Sequence, residues 1–342
     1  MDYEQKYKIY KQKYLKCKLN TLQSHKNIGD LMEEKTKIFT DSLVNKTPLY
    51  NLSIMDARKV LNDIQVDESY KNIVDIETFI IPTTKVGNVQ LDIFRPKNNK
   101  NKLPAIMYYH GGGWILGNKQ THGRLLSEIC TRTETAVIFV DYTPAPEQKY
   151  PTQIIQAYDA MKYIVDNAHK HNLNTNNLII MGDSVGGNMT TIVAMLSSER
   201  NGPKISYQIL MYPVTDASMS TESYQIYENG PWLTKKAMEW FFNAYEPDVQ
   251  ARTMATISPI NATPQHIKNL PSTLIIVGEN DPLRDEVEAY AHKLMNAGVE
   301  VTAVRYLGTT HDFLMLDPLK NTPAVKSALK LIAAHIKEII SK

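Results

Sequence analysis

From Pro104 to the C-terminus the chain alternates between two patterns, and this restricts the fold more than any other feature of the sequence. Short apolar runs rich in β-branched residues read as strands: PAIMYYH, TAVIFVDY, NLIIMGDS, ISYQILMYP, STLIIVGEND and EVTAVRYLG. Amphipathic stretches with helical spacing stand between and after them: THGRLLSEICTRT, PTQIIQAYDAMKYIVDNAHKHN, GGNMTTIVAMLSSER, LRDEVEAYAHKLMNAG and PAVKSALKLIAAHIKEIISK. Strands that are apolar on both faces must be covered on both faces, and a helix between successive strands makes them parallel. The expectation is an α/β fold: a mainly parallel sheet with helices on both faces. Two earlier runs, IVDIETFIIPTT and VQLDIFRP, are split by Val86-Gly87-Asn88 and predict an antiparallel pair at one edge. Residues 215–268 interrupt the alternation with helical, aromatic-containing sequence, including NGPWLTKKAMEWFFNAY. The predicted organisation is a core over residues 73–342 carrying a helical cap inserted at 215–268, and a helical segment over residues 1–72 that forms part of the cap.

Composition narrows the partners. A hydrophobic content of 43% in 342 residues supplies a large core. With 38 basic and 36 acidic side chains the net charge is +2, which gives no electrostatic case for nucleic acid or a membrane surface. The two cysteines, Cys17 and Cys130, show no metal-ligand spacing and fit a reducing compartment rather than a disulfide scaffold. MDYEQKYKIY has no apolar segment of a signal peptide, and no run approaches the ~20 apolar residues of a membrane span. A soluble, cytoplasmic protein with no metal, no nucleic acid partner and no transmembrane segment is expected. Tyr3, Tyr7, Tyr10, Tyr14 and Cys17 fall at a heptad-like spacing among lysines. They predict an amphipathic helix whose apolar face packs either on its own protein or on a partner, including a second copy.

The chemistry is carried by two short stretches. Gly182-Asp183-Ser184-Val185-Gly186 fits G-x-S-x-G at a strand-to-helix junction, the pattern of a nucleophile elbow. A serine hydroxyl must stand clear of its own backbone to attack, and a tight turn between strand and helix achieves that with small flanking residues. The helix start adds free N–H groups and positive dipole. His110-Gly111-Gly112-Gly113 follows a predicted strand, and such a glycine run lets backbone N–H groups approach a developing oxyanion. Gly112, Gly113 and Val185 are assigned as oxyanion donors, with Gly111 shaping the loop and His110 holding it through the backbone. A serine nucleophile needs a base and an orienting acid, in the chain order Ser, Asp or Glu, His. Of nine histidines, only His311 and His335 lie beyond the helix that carries the last acid candidates. His335 lies within the terminal amphipathic helix, so His311, just past a strand, is the base. Asp281 is the acid, with Glu279, Asp285 and Glu286 as competitors; Asp285 and Glu286 suit capping or surface positions on the following helix. As a neutral base His311 should give activity an acid limb near the ordinary histidine value, roughly 6 to 7, raised by Asp312 beside it.

At these residues the chain resembles the hormone-sensitive-lipase-like, or GDXG, family of α/β-hydrolases. The resemblance covers roughly residues 75–342 and rests on HGGG at His110–Gly113, GDSxGG at Gly182–Gly187, DYTPAPEQKYP at 141–151, DPLxDE at Asp281–Glu286 and His311-Asp312-Phe313. It implies the α/β-hydrolase fold, no cofactor, and a Ser184–Asp281–His311 triad that hydrolyses small carboxylic esters through an acyl-enzyme. Short to medium acyl esters are the leading substrates; amide or sugar deacetylation, or ligand binding without catalysis, are the alternatives. Three positions depart from the family pattern: Thr143-Pro144 stands for Arg-Leu, Val185 for alanine and Asp312 for glycine. The first twenty residues also resemble a Tyr/Lys helix found at the N-terminus of giant double-stranded DNA virus proteins, which implies a viral product, with packaging in a virion as the alternative to a cytoplasmic location.

Overall fold

The computed structural model describes residues 31–342, so the Tyr3–Cys17 stripe lies outside the described residues. Eight strands form one sheet: β1 (Val74–Pro82), β2 (Asn88–Pro96), β3 (Leu103–Tyr109), β4 (Ala136–Asp141), β5 (Leu173–Asp183), β6 (Tyr207–Met211), β7 (Thr273–Asn280) and β8 (Val301–Thr310). Their order is β1-β2-β4-β3-β5-β6-β7-β8. β2 is antiparallel to both β1 and β4, and every other pairing is parallel. β4, β5 at its carboxyl end, and β6 are buried on both faces, as continuous apolar runs demand. β1 and β8, at the two edges, alternate buried or half-buried with exposed positions.

The helices begin and end where local chemistry allows. α1 (Glu34–Asp41) and α2 (Ile54–Ile64) precede the sheet, and Ser53 caps α2 by accepting the Asp56 N–H. α3 (Lys119–Thr133) opens on a reciprocal cap between Asn118 and Thr121. α4 (Thr152–Asp166) is shorter than the predicted 151–172 stretch. A tight helical turn at Ala168–His171 and a left-handed Asn172 turn the chain into β5, which starts four residues before the NLIIMGDS run. α5 (Val185–Glu199) follows Ser184 directly. Within 215–268 come α6 (Glu222–Ile226), α7 (Lys235–Tyr245), capped by Thr234, and α8 (Pro264–Ile267). α9 (Arg284–Asn296) and α10 (Pro323–Ile340), capped by Thr322, complete the layers.

The parallel register brings the carboxyl ends of the strands to one rim. Tyr109 pairs with Gly182, Asp183 with Met211, and Asn280 with Thr310. The next residue along each chain segment is therefore His110, Ser184, Tyr212, Asp281 or His311, which is the crevice where open α/β sheets bind ligands.

The loop after β8 is latched from two sides. Arg124 on α3, nearly buried, donates through Nε to Asp317 Oδ1 at 2.7 Å and through Nη2 to the carbonyls of Leu314 and Met315. Gln65, at the end of α2, donates to the Met315 carbonyl and accepts the Asp317 N–H, both at 2.7 Å. Removing one partner of a buried ion pair strands the other charge. Arg124→Met is expected to lose about 3–5 kcal/mol in urea unfolding. Lys59→Ala, which breaks an exposed pair with Asp63, should lose under about 1 kcal/mol.

Candidate active site

The serine is held in an unusual backbone position. Ser184 has φ +54° and ψ −120°, a conformation that costs a non-glycine residue about 1–3 kcal/mol unless its surroundings enforce it. Three hydrogen bonds fix the turn: Ser184 N–H to Met211 O at 2.8 Å, and Val214 N–H and Asn188 N–H to Ser184 O, both at 3.1 Å. The turn is so tight that a Cβ on Gly186 would stand 1.9 Å from Tyr109 O, so only glycine fits there.

Ser184, His311 and Asp281 form one hydrogen-bonded chain. Ser184 Oγ donates to His311 Nε2 at 3.0 Å, and His311 Nδ1 donates to Asp281 Oδ2 at 2.7 Å. Asp281 is fully buried, and its other oxygen accepts the Leu283 N–H at 2.8 Å, which fixes the carboxylate. The competing acids are engaged elsewhere. Glu279 accepts the Gly308 N–H, and Asp285 accepts the Ser223 N–H and an Arg284 N–H. Glu286 corrects the surface or capping expectation: it is buried beneath the insertion, where Oε1 accepts the N–H groups of Thr215 and Asp216. Burial, opposed by those two N–H groups, pushes its carboxyl well above the ordinary range.

The glycine loop faces the serine across the same cavity. Gly112 and Gly113 line it beside Ser184, and the N–H groups of Gly112, Gly113 and Val185 have no backbone partner among the described residues. These three donors are free to meet an oxyanion. His110 does not reach the cavity. Its ring stacks between Tyr142, at 4.1 Å, and Phe139, at 5.0 Å, and Nδ1 donates to Gly111 O at 2.8 Å. Burial, reinforced by nearby His122, drops its pKa to about 3, so it is neutral. Trp114, the next residue after the glycines, stacks flat on Tyr245 of α7 at 3.9 Å, which ties the loop to the insertion. Of the departures, Thr143 is wired to α4: its N–H donates to Gln156 Oε1, and its carbonyl accepts from Gln153. Val185 is buried without disturbing the start of α5.

Sequence reasoning missed the support beneath this site. Asp183 accepts the Gly111 N–H at 3.0 Å and the Tyr108 hydroxyl at 2.7 Å, and lies 3.3 Å from His122 Nε2. The signal was present in the elbow itself, since an acidic residue in a tight buried turn needs donors. The cavity above the serine is walled by Leu49, Val60 and Leu61 from the N-terminal segment and by Trp232, Leu233 and Phe241 from the insertion. Trp232 also donates its indole N–H to Asp312 Oδ2 at 2.9 Å.

Comparison with known proteins agrees with this geometry. A family model described as the alpha/beta hydrolase fold matches residues 106–315. A protein of Acanthamoeba polyphaga mimivirus named as an alpha/beta hydrolase is 49% identical over 342 residues, 99% of this chain and 98% of its own. An ethyl acetate hydrolase of Pseudomonas putida is 34% identical over 238 residues, 68% of this chain and 74% of its own. Among solved structures, a thermostable esterase from Pseudomonas putida ECU1011 superposes with a TM-score of 0.86 at 39% identity, covering 90% of this chain and 97% of that one. A hyperthermophilic esterase from Pyrobaculum calidifontis gives 0.83 at 31% identity, over 91% and 100%. The chain belongs to the α/β-hydrolase family, in its hormone-sensitive-lipase-like branch, and is a hydrolase of the carboxylesterase class. No metal-binding cluster of His, Cys, Asp or Glu occurs among the described residues, and none of their helices is long and apolar enough to cross a membrane.

The histidine departs from the value expected from the sequence. Burial alone would lower its pKa, but Asp281 on one side and Asp312 on the other outweigh burial and raise it to about 9. A base at His311 would take up a proton only when neutral, so activity resting on it would fall as pH drops through that value. In pH-stat assays the acid limb of kcat/KM should therefore lie well above the ordinary histidine value of roughly 6.5. Asp312→Asn removes one of the two negative charges and should move the limb to lower pH; a limb that stays put or rises would contradict this assignment.

Proposed function

We infer that this protein hydrolyses carboxylic esters with short to medium acyl chains through an acyl-enzyme on Ser184. The observation that carries the reading is the unbroken chain of hydrogen bonds from Ser184 Oγ through the His311 ring to Asp281. His311 takes the serine proton as Oγ attacks the ester carbonyl, and Asp281 holds the imidazole in the required tautomer and stabilises the imidazolium. The carbonyl oxygen becomes an oxyanion facing the N–H groups of Gly112, Gly113 and Val185. His311 then protonates the leaving alcohol. Water enters, loses a proton to the same nitrogen and releases the acid. The apolar walls of the cavity suit an acyl chain. Its volume, about 40 Å³, is small beside the roughly 300–1,000 Å³ of pockets for drug-sized ligands and favours the short end of the range. A giant-virus origin belongs to the same reading, supported by the mimivirus relative that matches over nearly its whole length.

Turnover of p-nitrophenyl esters graded by acyl length tests the proposal. Wild type should prefer short chains. Ser184→Ala should fold normally, since alanine is small enough for the turn, and lose ester hydrolysis. Asp281→Asn should lose activity heavily, as the equivalent change in a serine protease costs about 10⁴ in kcat, whereas Asp285→Asn should lose far less. Residual turnover by folded Ser184→Ala, or greater damage at Asp285 than at Asp281, would refute the assignments.

A further inference from the structure

The residue after the histidine is a feature that ester hydrolysis does not require. Asp312 occupies a left-handed position, φ +60°, where the family pattern has glycine. Its side chain is about nine-tenths buried, with 8% residue exposure, and lines the cavity above Ser184. Oδ2 is satisfied by the Trp232 indole. Oδ1 lies 3.3 Å from His311 Nε2 without the geometry of a hydrogen bond, and has no hydrogen-bond partner among the described residues. The cavity wall around it includes Leu61, Leu116, Leu233 and Phe241 and, among the described residues, no lysine or arginine. An anionic oxygen in such surroundings is costly until a cation meets it. His311 cannot be that cation when it acts as base, because it must then be neutral.

We propose that Asp312 is a specificity residue that selects esters bearing a positively charged amine, with the ammonium against Oδ1 and the ester carbonyl on Ser184. This rests on the esterase reading and names its substrate class. Ser184 Oγ and Asp312 Oδ1 approach the same ring nitrogen, at 3.0 and 3.3 Å, so the cation sits beside the reacting bond. An amine joined to the ester oxygen by a short alkyl linker spans that gap. Trp232 and Phe241 supply aromatic walls that also attract an ammonium. The same carboxylate repels anionic esters, so discrimination has an attractive and a repulsive part. A bound ammonium also offsets the effect of Asp312 on His311, which returns the imidazole toward its ordinary basicity when the right substrate is seated.

Acetylcholine and 3,3-dimethylbutyl acetate have the same shape and differ in charge. The experiment measures kcat/KM for both with wild type, Asp312→Asn and Asp312→Gly, with p-nitrophenyl acetate as the measure of esterase competence. Asparagine keeps an acceptor for Trp232 and tolerates the left-handed backbone; glycine restores the family residue. Wild type should prefer the charged ester by roughly tenfold or more, the range of a close, desolvated charge pair, and both variants should lose most of that preference, keeping only the few-fold share of the aromatic walls. Equal use of the two esters by wild type overturns the proposal. So does a preference that survives undiminished in Asp312→Asn, and so does p-nitrophenyl acetate turnover with neither alkyl ester hydrolysed. A wild type inactive on p-nitrophenyl acetate overturns the esterase reading, and this proposal with it.

Discussion

The carboxylate of Asp183, closed off from solvent at the end of β5, accepts hydrogen bonds from the Gly111 N–H and the Tyr108 hydroxyl and faces His122 on α3. Burial opposes its charge, but His122 and Tyr108 outweigh burial and hold the pKa below the usual carboxylate value. Hydrogen bonds to a charged group contribute about 1.5–3 kcal/mol each, so this side chain is a strong tie between adjacent strands. One strand ends in the serine and the other in the glycine loop, so the distance between Ser184 and the glycine N–H groups is set by this contact. The glycine at 111 follows from it: a Cβ there would stand 2.3 Å from Asp183 Oδ2. The rest of the site is built outward from that tie, with the histidine loop and the insertion closing over it.

The sheet was legible because burial on both faces leaves a coarse mark on sequence: unbroken apolar runs at regular intervals. Ser184 and Asp281 were locatable because each follows such a run directly, and His311 because it follows the end of the last predicted strand. What was not legible is contact between side chains far apart in sequence. Glu286 looked like a helix-surface residue because its helix neighbours are polar, and nothing local reveals that the chain at Thr215 and Asp216 folds down onto it. Trp232 read as part of a helix, yet α7 begins at Lys235 and the indole reaches instead to Asp312. His110 was expected to bind backbone and does, but its stacking between Tyr142 and Phe139 depends on β4 lying beside β3, which only the sheet order reveals.

The two carboxylates flanking His311 act in different directions. At Nδ1, Asp281 orients the ring and would support a charge developing on it. At Nε2, Asp312 stands at the atom that in the proposed mechanism receives a proton from serine and delivers it to the leaving group, so there it would compete for that proton rather than assist its transfer. The bond from Trp232 turns one oxygen of Asp312 toward the insertion and leaves the other toward the ring. The charge state of His311 is thus coupled to the insertion that walls the cavity above Ser184.

The latch on the histidine loop carries a consequence for how the molecule comes into being. Gln65 meets Met315 across 250 positions of sequence, and Arg124 meets Asp317 across 193. Contacts that close loops of this length must overcome their entropy before any reward is gained, and they form late. The serine turn and glycine loop, by contrast, belong to neighbouring central strands. A partly synthesised chain can therefore arrange Ser184 and the glycine loop while lacking His311. On the proposed mechanism, hydrolytic competence awaits the docking of the segment that carries His311, and a chain ending before it would lack its base.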